Sequence, residues 1–165
     1  MKGKQNRTVS LIALTFFVFS TAMVANVFAT KQGCTPGFWK VPQHFVYWTF
    51  FTPQDTVAEA FLTDDWAPEY DFLKGMTLLE VLEKKGGKGQ EFTQRQQAAR
   101  IFLRQAVAAL LNTANPNIDY YNQISSVQGH VNLVLNLQYD LDADAIEAQK
   151  NVLQNFNELG SPICD

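Results

Sequence analysis

The chain has 165 residues, of which 13 are Lys or Arg and 16 are Asp or Glu, so its formal net charge is −3 at pH 7. Hydrophobic residues make up 47% of it, enough for one sizeable core. An acidic chain with scattered Lys and Arg lacks the clustered positive charge that nucleic-acid binding needs, and we therefore exclude a nucleic-acid partner.

Residues 1–29 have the three-part pattern of a secretory signal peptide. Lys2, Lys4 and Arg7 form a positive start, residues 11–19 form a short apolar core, and Val-Phe-Ala at 27–29 suits cleavage. Removal of three basic residues makes the mature chain more acidic than the whole. We expect a secreted protein that is extracellular or at the cell surface.

Cleavage after position 29 would leave a single secreted helical domain over residues 30–165. One alternative is an uncleaved anchor, since the run 9–29 is close to the roughly 20 apolar residues that span a bilayer. Polar residues dilute its second half. A lipid anchor on Cys34 is disfavoured because Lys-Gln-Gly precedes it. We expect no membrane association after cleavage.

Cys34 and Cys164 are the only two cysteines. An even count in an exported chain predicts a disulfide, which here would tie the start of the mature domain to its end. The alternatives are a metal pair or two free thiols. Neither cysteine has the CxxC or histidine spacing of a zinc site, so no metal site is predicted there.

The first two predicted helices are short. Thr52 followed by Pro53 is typical of a helix start, and apolar residues recur at helical spacing after it. Thr77 and Glu80 have the spacing of a capping box, and Gly86 predicts the end of that second helix.

The longest predicted helix covers residues 93–113 and is central. One line of side chains along it is almost wholly apolar: Ala99, Phe102, Leu103, Ala106, Val107, Leu110 and Leu111. Other apolar residues lie off this line, so we expect two packed faces. Pro116 predicts its end, and Leu103 and Val107 are expected in the core.

Two further helices complete the prediction. The first covers residues 124–137, with Val127, Val131, Val134 and Leu135 facing inward. The second begins with Asp144 as its cap, has Glu147 as capping partner and ends at Gly160. Its expected core residues are Ile146, Val152, Leu153 and Phe156. The predicted fold class is therefore all-α: a compact bundle of about five helices, with a disulfide tying the two termini.

Three sequence blocks carry a family resemblance. They are GCTPGFWK at 33–40, RQAVAALLNTANPNIDY at 104–120 and IEAQKNVLQNFNELGSPIC at 146–164. With these blocks the chain resembles a loosely defined group of secreted microbial proteins and domains. Such proteins often read NELGCP, whereas here Ser161 precedes the proline and the cysteine follows later. The resemblance implies an exported, extracellular domain and brings no established activity.

The segment FWKVPQHFVYW supplies the candidate binding residues, which are Trp39, Lys40, His44, Tyr47 and Trp48. One interpretation is an aromatic surface that stacks on sugar rings or seats a partner. The other is structural, because large aromatics dominate core burial. We expect Trp39 inside the core, and Tyr47 or Trp48 as the anchor of any partner contact or self-contact.

No catalytic set is recognisable. The only histidines are His44 and His130, neither lies in an HExxH motif, and the chain has no nucleophile elbow or phosphate-binding loop. A dispersed pair of carboxylates needs no local motif, so a secreted hydrolase remains the third hypothesis. We predict no catalytic residue and no cofactor.

Asp140, Asp142 and Asp144 alternate in a way that suggests a calcium loop. An EF-hand loop requires Gly at its sixth position and Glu at its twelfth, where this chain has Ala145 and Asn151. We interpret the three aspartates as an acidic turn whose last member caps a helix.

The leading functional hypothesis is a non-catalytic extracellular structural or interaction domain, such as a matrix, filament or cell-surface component. It would work through a protein partner or through self-association. The alternative is an extracellular module that binds glycans or small ligands with the aromatics between Trp39 and Trp48.

Overall fold

The computed structural model describes residues 31–83 and 92–164. The chain divides after Lys31, and the residues from Gln32 onward form one compact unit. Its described part contains helices and no β-strand, with isolated antiparallel bridges between Gly33 and Gly160, Thr56 and Thr77, and Trp66 and Asn136. The predicted signal peptide and the predicted helix end at Gly86 lie outside the described residues.

The helices follow one another in this order: α1 (Pro36–Trp39), a first 3-10 helix (Pro42–Tyr47), α2 (Val57–Phe61), a second 3-10 helix (Pro68–Tyr70), α3 (Asp71–Lys74), α4 (Leu78–Glu83), α5 (Gln94–Ala114), α6 (Ile124–Val134) and α7 (Ala143–Asn157). This confirms the all-α prediction. The sequence analysis missed the one-turn helices α1 and α3, which are too short to show a hydrophobic period.

Helix α5 is the centre of the fold. Thr93 and Gln96 form a capping box at its start, in which each side chain bonds the backbone N–H of the other. The helix packs most extensively on α7 and also contacts α6, α4 and α1. Leu103 and Val107 are fully buried, as predicted, and the run Ala106–Leu111 is buried on every side. The prediction of a central helix with two packed faces is confirmed.

The start of the first helix was predicted wrongly. The Thr52 hydroxyl donates to Asp55 in a turn of its own, at 2.7 Å. Helix α2 begins one turn later, where Thr56 and Glu59 form the capping box. Both threonines have an acidic residue three positions on, but only Thr56 is followed directly by residues that face the core. The capping pair of Thr77 and Glu80 is present as predicted.

Helix α7 also differs from its prediction. It is capped by Asp142, whose Oδ1 accepts a hydrogen bond from the Ala145 N–H, so the cap lies two residues before the expected cap at Asp144. Ile146 and Leu153 are buried as predicted. Val152 is 43% exposed, because its position lies on the outer face of the helix, and its prediction as a core residue was wrong.

The disulfide between Cys34 and Cys164 is confirmed. It joins residues 130 positions apart in the sequence, with a Cα–Cα distance of 5.8 Å. Next to it, the Gly33 N–H donates to the Gly160 carbonyl at 3.0 Å. A Cβ on Gly33 would overlap the Phe156 carbonyl oxygen, so glycine permits this close approach.

Candidate functional site

Two of the five candidate binding residues lie in the core. Trp39 is fully buried, and its indole Nε1 donates to Asn112 Oδ1 at 3.1 Å. Trp48 is 9% exposed and donates from Nε1 to the Trp39 carbonyl at 3.2 Å. Their ring planes are 85° apart. The two tryptophans therefore offer no coplanar exposed face on which a sugar ring could stack.

The other three candidates are half-buried around Phe38. The His44 ring stacks on Phe38 with 4.0 Å between ring centroids, and its Nδ1 lies 2.8 Å from the Phe38 carbonyl oxygen. Tyr47 stacks on the same ring at 5.9 Å. Lys40 follows α1 directly as its C-terminal cap. The segment is a layered aromatic cluster, and the binding role of the five residues stays a prediction.

The exposed apolar residues of this region are Val46 and Phe50, which the sequence analysis did not single out. Val46 is 79% exposed and Phe50 is 85% exposed. Phe50 has a backbone φ of 63°, a left-handed conformation that is uncommon for a bulky residue. No sequence signal marks it, because Phe gives no indication of a positive φ.

The backbone before Phe50 is tied to the C-terminal end of α5. The Thr49 hydroxyl donates to the Ala114 carbonyl at 2.8 Å. The Asn115 side chain donates from Nδ2 to the Tyr47 carbonyl, also at 2.8 Å. These bonds hold the chain on both sides of Trp48, so the position at which Phe50 emerges is set by the core.

A buried polar network, here called the terminal closure, holds the N-terminal segment to the bundle. It consists of Cys34, Trp39, Asn112, Tyr120 and Asn157. The Asn112 Oδ1 accepts from the Cys34 N–H at 2.8 Å and from the Trp39 indole, while its Nδ2 donates to the Cys34 carbonyl at 2.9 Å and to Asn157 Oδ1 at 3.0 Å. All four hydrogen-bonding positions of this fully buried amide are filled.

Asn157 completes the terminal closure from α7. Its Oδ1 accepts from the Tyr120 hydroxyl at 2.8 Å, in addition to the bond from Asn112. Its Nδ2 donates to the backbone carbonyl and the side-chain oxygen of Gln105. Burial raises the pKa of Tyr120, so the hydroxyl keeps the proton that it donates.

The terminal closure brings together the three sequence blocks at 33–40, 104–120 and 146–164. Cys34 and Trp39 come from the first block, Asn112 and Tyr120 from the second, and Asn157 from the third. The residues of these blocks that meet are therefore saturated structural groups. The sequence analysis missed this role of the asparagines, since their partners lie 37 to 78 positions away.

An open groove lies at the other end of α5. One cavity of about 470 Å³ is lined by Asp64, Asp65, Trp66, Pro68, Asn136, Leu137 and Gln138. A second, of about 220 Å³, shares Pro68, Asn136 and Leu137 and adds Ala67, Glu69, Arg95 and Asp140. We call the two together the acidic groove, since Arg95 is the only basic side chain among the described residues that line them.

Arg95 holds the second cavity together through ion pairs. Its guanidinium lies 3.1 Å from Glu69 and 2.8 Å from Asp140. Burial acts to lower the pKa of Arg95, but Asp140, Tyr70 and Glu69 outweigh it and the pKa is raised. Arg95 Nε and the Tyr70 hydroxyl are buried without a hydrogen-bond partner in the described part of the chain. Burial, together with the nearby charge of Glu69, raises the pKa of Tyr70.

The three alternating aspartates do not converge. Asp142 caps α7 and Asp140 pairs with Arg95. Within residues 31–83 and 92–164, no group of three or more His, Cys, Asp or Glu side chains is placed to hold a metal ion. His130 Nε2 lies 2.9 Å from Gln149 Oε1, on a different face from His44, so the two histidines are not brought together.

The comparisons with known proteins give no relative. No protein-family model, curated protein or solved structure matches this chain. Among the described helices, none is both long and apolar enough to cross a membrane.

Proposed function

We propose that this chain is a non-catalytic extracellular structural or interaction domain that works through protein contacts. The observation that carries the proposal is Phe50, an aromatic side chain that is 85% exposed on a left-handed backbone. That conformation costs an L-residue about 1–2 kcal/mol. Such strain persists where the surrounding structure enforces it, and it is concentrated at functional positions.

The surroundings of Phe50 suit an interface anchor. Large aromatics often dominate binding energy, because they bury much area at a low cost in rotamer freedom. Val46 adds a second exposed apolar side chain from the same segment. The proposed anchor is therefore Phe50 with Val46. It replaces Trp48, whose side chain is buried in the core. Half-buried Tyr47 is placed at the rim.

A non-catalytic role is supported by the engagement of the polar groups. Asn112 and Asn157 have every amide position filled, and each histidine has a hydrogen-bond partner. Groups in this state are committed to holding the fold. An extracellular location is supported by the signal-like residues 1–29 and by the disulfide, a bond that persists in oxidising compartments. The resemblance to secreted microbial proteins agrees with it.

The test is Phe50→Ala, compared with Val152→Ala as a matched exposed apolar control. Both variants should keep the circular dichroism spectrum and melting temperature of the parent protein. We expect Phe50→Ala to weaken every specific protein contact, measured by sedimentation and by pull-down with partners identified by mass spectrometry. Contacts that survive Phe50→Ala unchanged would contradict the proposal. Intact mass of the exported protein, expected to begin near residue 30, tests the location.

A further inference from the structure

Phe50 and Val46 form an exposed apolar surface, here called the Phe50 surface, and this surface and the acidic groove lie at opposite ends of α5. The segment that ends in Phe50 bonds to Ala114 and Asn115, at the C-terminal end of the helix. The groove includes Arg95, in the first turn of the same helix. Helix α5 has 21 residues, and at 1.5 Å per residue it is about 30 Å long.

The segment that presents Phe50 and the described lining of the groove differ in charge. Residues 32–50 contain Lys40 and His44 and no Asp or Glu. The bond from the Trp48 indole to the Trp39 carbonyl keeps Lys40 at the same end of the molecule as Phe50. The described lining of the acidic groove contains four carboxylates, of which Glu69 and Asp140 pair with Arg95. Asp64 and Asp65 form no ion pair with any described residue and are both exposed.

The acidic groove and the Phe50 surface both expose apolar side chains. Leu137 is 65% exposed and lies beside Pro68 in both cavities of the groove. The larger cavity, at about 470 Å³, is within the usual range for sites that take one large group. Phe50 and Val46 supply an exposed aromatic ring and an aliphatic neighbour at the other end. A contact of these ends would bury apolar surface at its centre and leave opposite charges at its rim.

From this geometry we infer that the partner of the Phe50 surface is a second copy of this chain, bound head to tail. The inference rests on the proposed function and names its partner. Phe50 of one copy enters the acidic groove of the next, where it packs on Pro68 and Leu137. Lys40 then lies near Asp64 and Asp65. The two contacting surfaces differ and lie at opposite ends of α5. Each added copy therefore leaves an unoccupied groove or an unoccupied Phe50 surface at the end of the assembly, which grows as an open chain.

A mixing experiment on the mature, disulfide-bonded protein tests this arrangement. One variant, Phe50→Ala, lacks the aromatic anchor and keeps its groove. The other, Asp64→Lys with Asp65→Lys, keeps the anchor and reverses the charge of the groove. Glu147→Lys, an exposed charge reversal on α7, serves as the control. Sedimentation velocity over a wide concentration range reports the size of each species.

We expect the parent protein and Glu147→Lys to form concentration-dependent oligomers that weaken with added salt. Each surface variant alone should associate at least about tenfold more weakly. An equimolar mixture of the two should form a dimer and nothing larger, because only one productive junction is left. A two-fold symmetric contact would stop at a dimer in the parent protein at every concentration, and that result would overturn the inference.

Two other outcomes also overturn it. The first is a parent protein that stays monomeric at the highest attainable concentration, and the second is a groove variant that associates as strongly as the parent. If Phe50→Ala nevertheless abolishes a contact with a different protein, the proposed function stands and only the second-copy partner is wrong. If no contact depends on Phe50, both fail.

Discussion

The terminal closure and the acidic groove lie at opposite ends of α5 and are built on opposite principles. In the closure, the amides of Asn112 and Asn157 are fully buried and every polar atom of theirs has a partner. In the groove, Arg95 forms ion pairs with Glu69 and Asp140, whose side chains are 33% and 80% exposed. The terminal closure is held by buried hydrogen bonds, whereas the acidic groove is held by ion pairs that are partly open to water.

The difference shows how this fold separates rigidity from adaptability. A saturated buried network specifies one arrangement, because breaking any bond in it leaves a buried polar group unpaired. The closure fixes Trp39, whose carbonyl accepts a hydrogen bond from the Trp48 indole two residues before Phe50. Exposed ion pairs contribute little to stability and rearrange at low cost, which suits a surface that has to receive another group.

The largest effect is expected from removing the disulfide. Replacing Cys34 and Cys164 together by alanine frees a loop whose ends are 130 positions apart. The chain-entropy model gives a loss of about 4–5 kcal/mol in the free energy of unfolding. Urea denaturation of the parent and the double variant measures it. A loss below about 1 kcal/mol would mean that the terminal closure holds the ends without the bond.

The next effect is expected from Asn112→Ala. The change leaves the Cys34 N–H, the Cys34 carbonyl and the Trp39 indole without partners in a buried site. At about 1 kcal/mol or more for each unpaired group, the free energy of unfolding should fall by about 3–4 kcal/mol. Asn151→Ala, an exposed position of α7, is the control and should change it by less than about 0.5 kcal/mol. Equal losses in the two variants would remove Asn112 from its central role.

A smaller effect is expected at the groove from Arg95→Met. The variant loses the ion pairs to Glu69 and Asp140, whose side chains are 33% and 80% exposed. Pairs of this kind contribute below about 1 kcal/mol each, and the contribution should shrink as salt is added. Thermal unfolding at low and high ionic strength measures the difference. A large loss that does not depend on salt would place Arg95 in the core and would undo the contrast between the ends.

The smallest effect on stability is expected from Phe50→Gly. Glycine adopts a positive φ without the steric cost that phenylalanine bears there, although it is more flexible in the unfolded chain. The two terms nearly cancel, so the free energy of unfolding should stay the same or rise by up to about 1 kcal/mol. Chemical denaturation measures it. A loss beyond about 1 kcal/mol would show that the Phe50 side chain stabilises the folded monomer.

Features that depend on residues close together in the sequence were predictable. The spacing of the apolar residues predicted α5, the proline at 116 predicted its end, and the two cysteines predicted the disulfide. Two threonines with acidic partners competed for the start of α2, and local pattern alone favoured the wrong one. Packing decided between them, since the core needs the apolar face that follows Thr56.

Features that depend on distant residues were not predictable. In the sequence, Asn112 is one polar residue in an apolar helix. Its neighbours give no indication that its side chain bonds to Cys34 and Asn157. The exposure of Phe50 depends on bonds from Thr49 and from Asn115 to groups far along the chain. The acidic groove is made by two loops about 70 positions apart. A single sequence gives the identity of these residues but does not show which of them contact each other in the fold.

Native-state hydrogen exchange tests the contrast between the two ends most directly. The Cys34 amide donates to buried Asn112 Oδ1 at 2.8 Å, and the Leu137 amide donates to the Asp65 carbonyl at 3.2 Å in the groove. We expect Cys34 to exchange only through global unfolding, and Leu137 to exchange through local opening at a rate at least about 100-fold faster. Equal rates, or faster exchange at Cys34, would contradict a fixed closure and an adaptable groove.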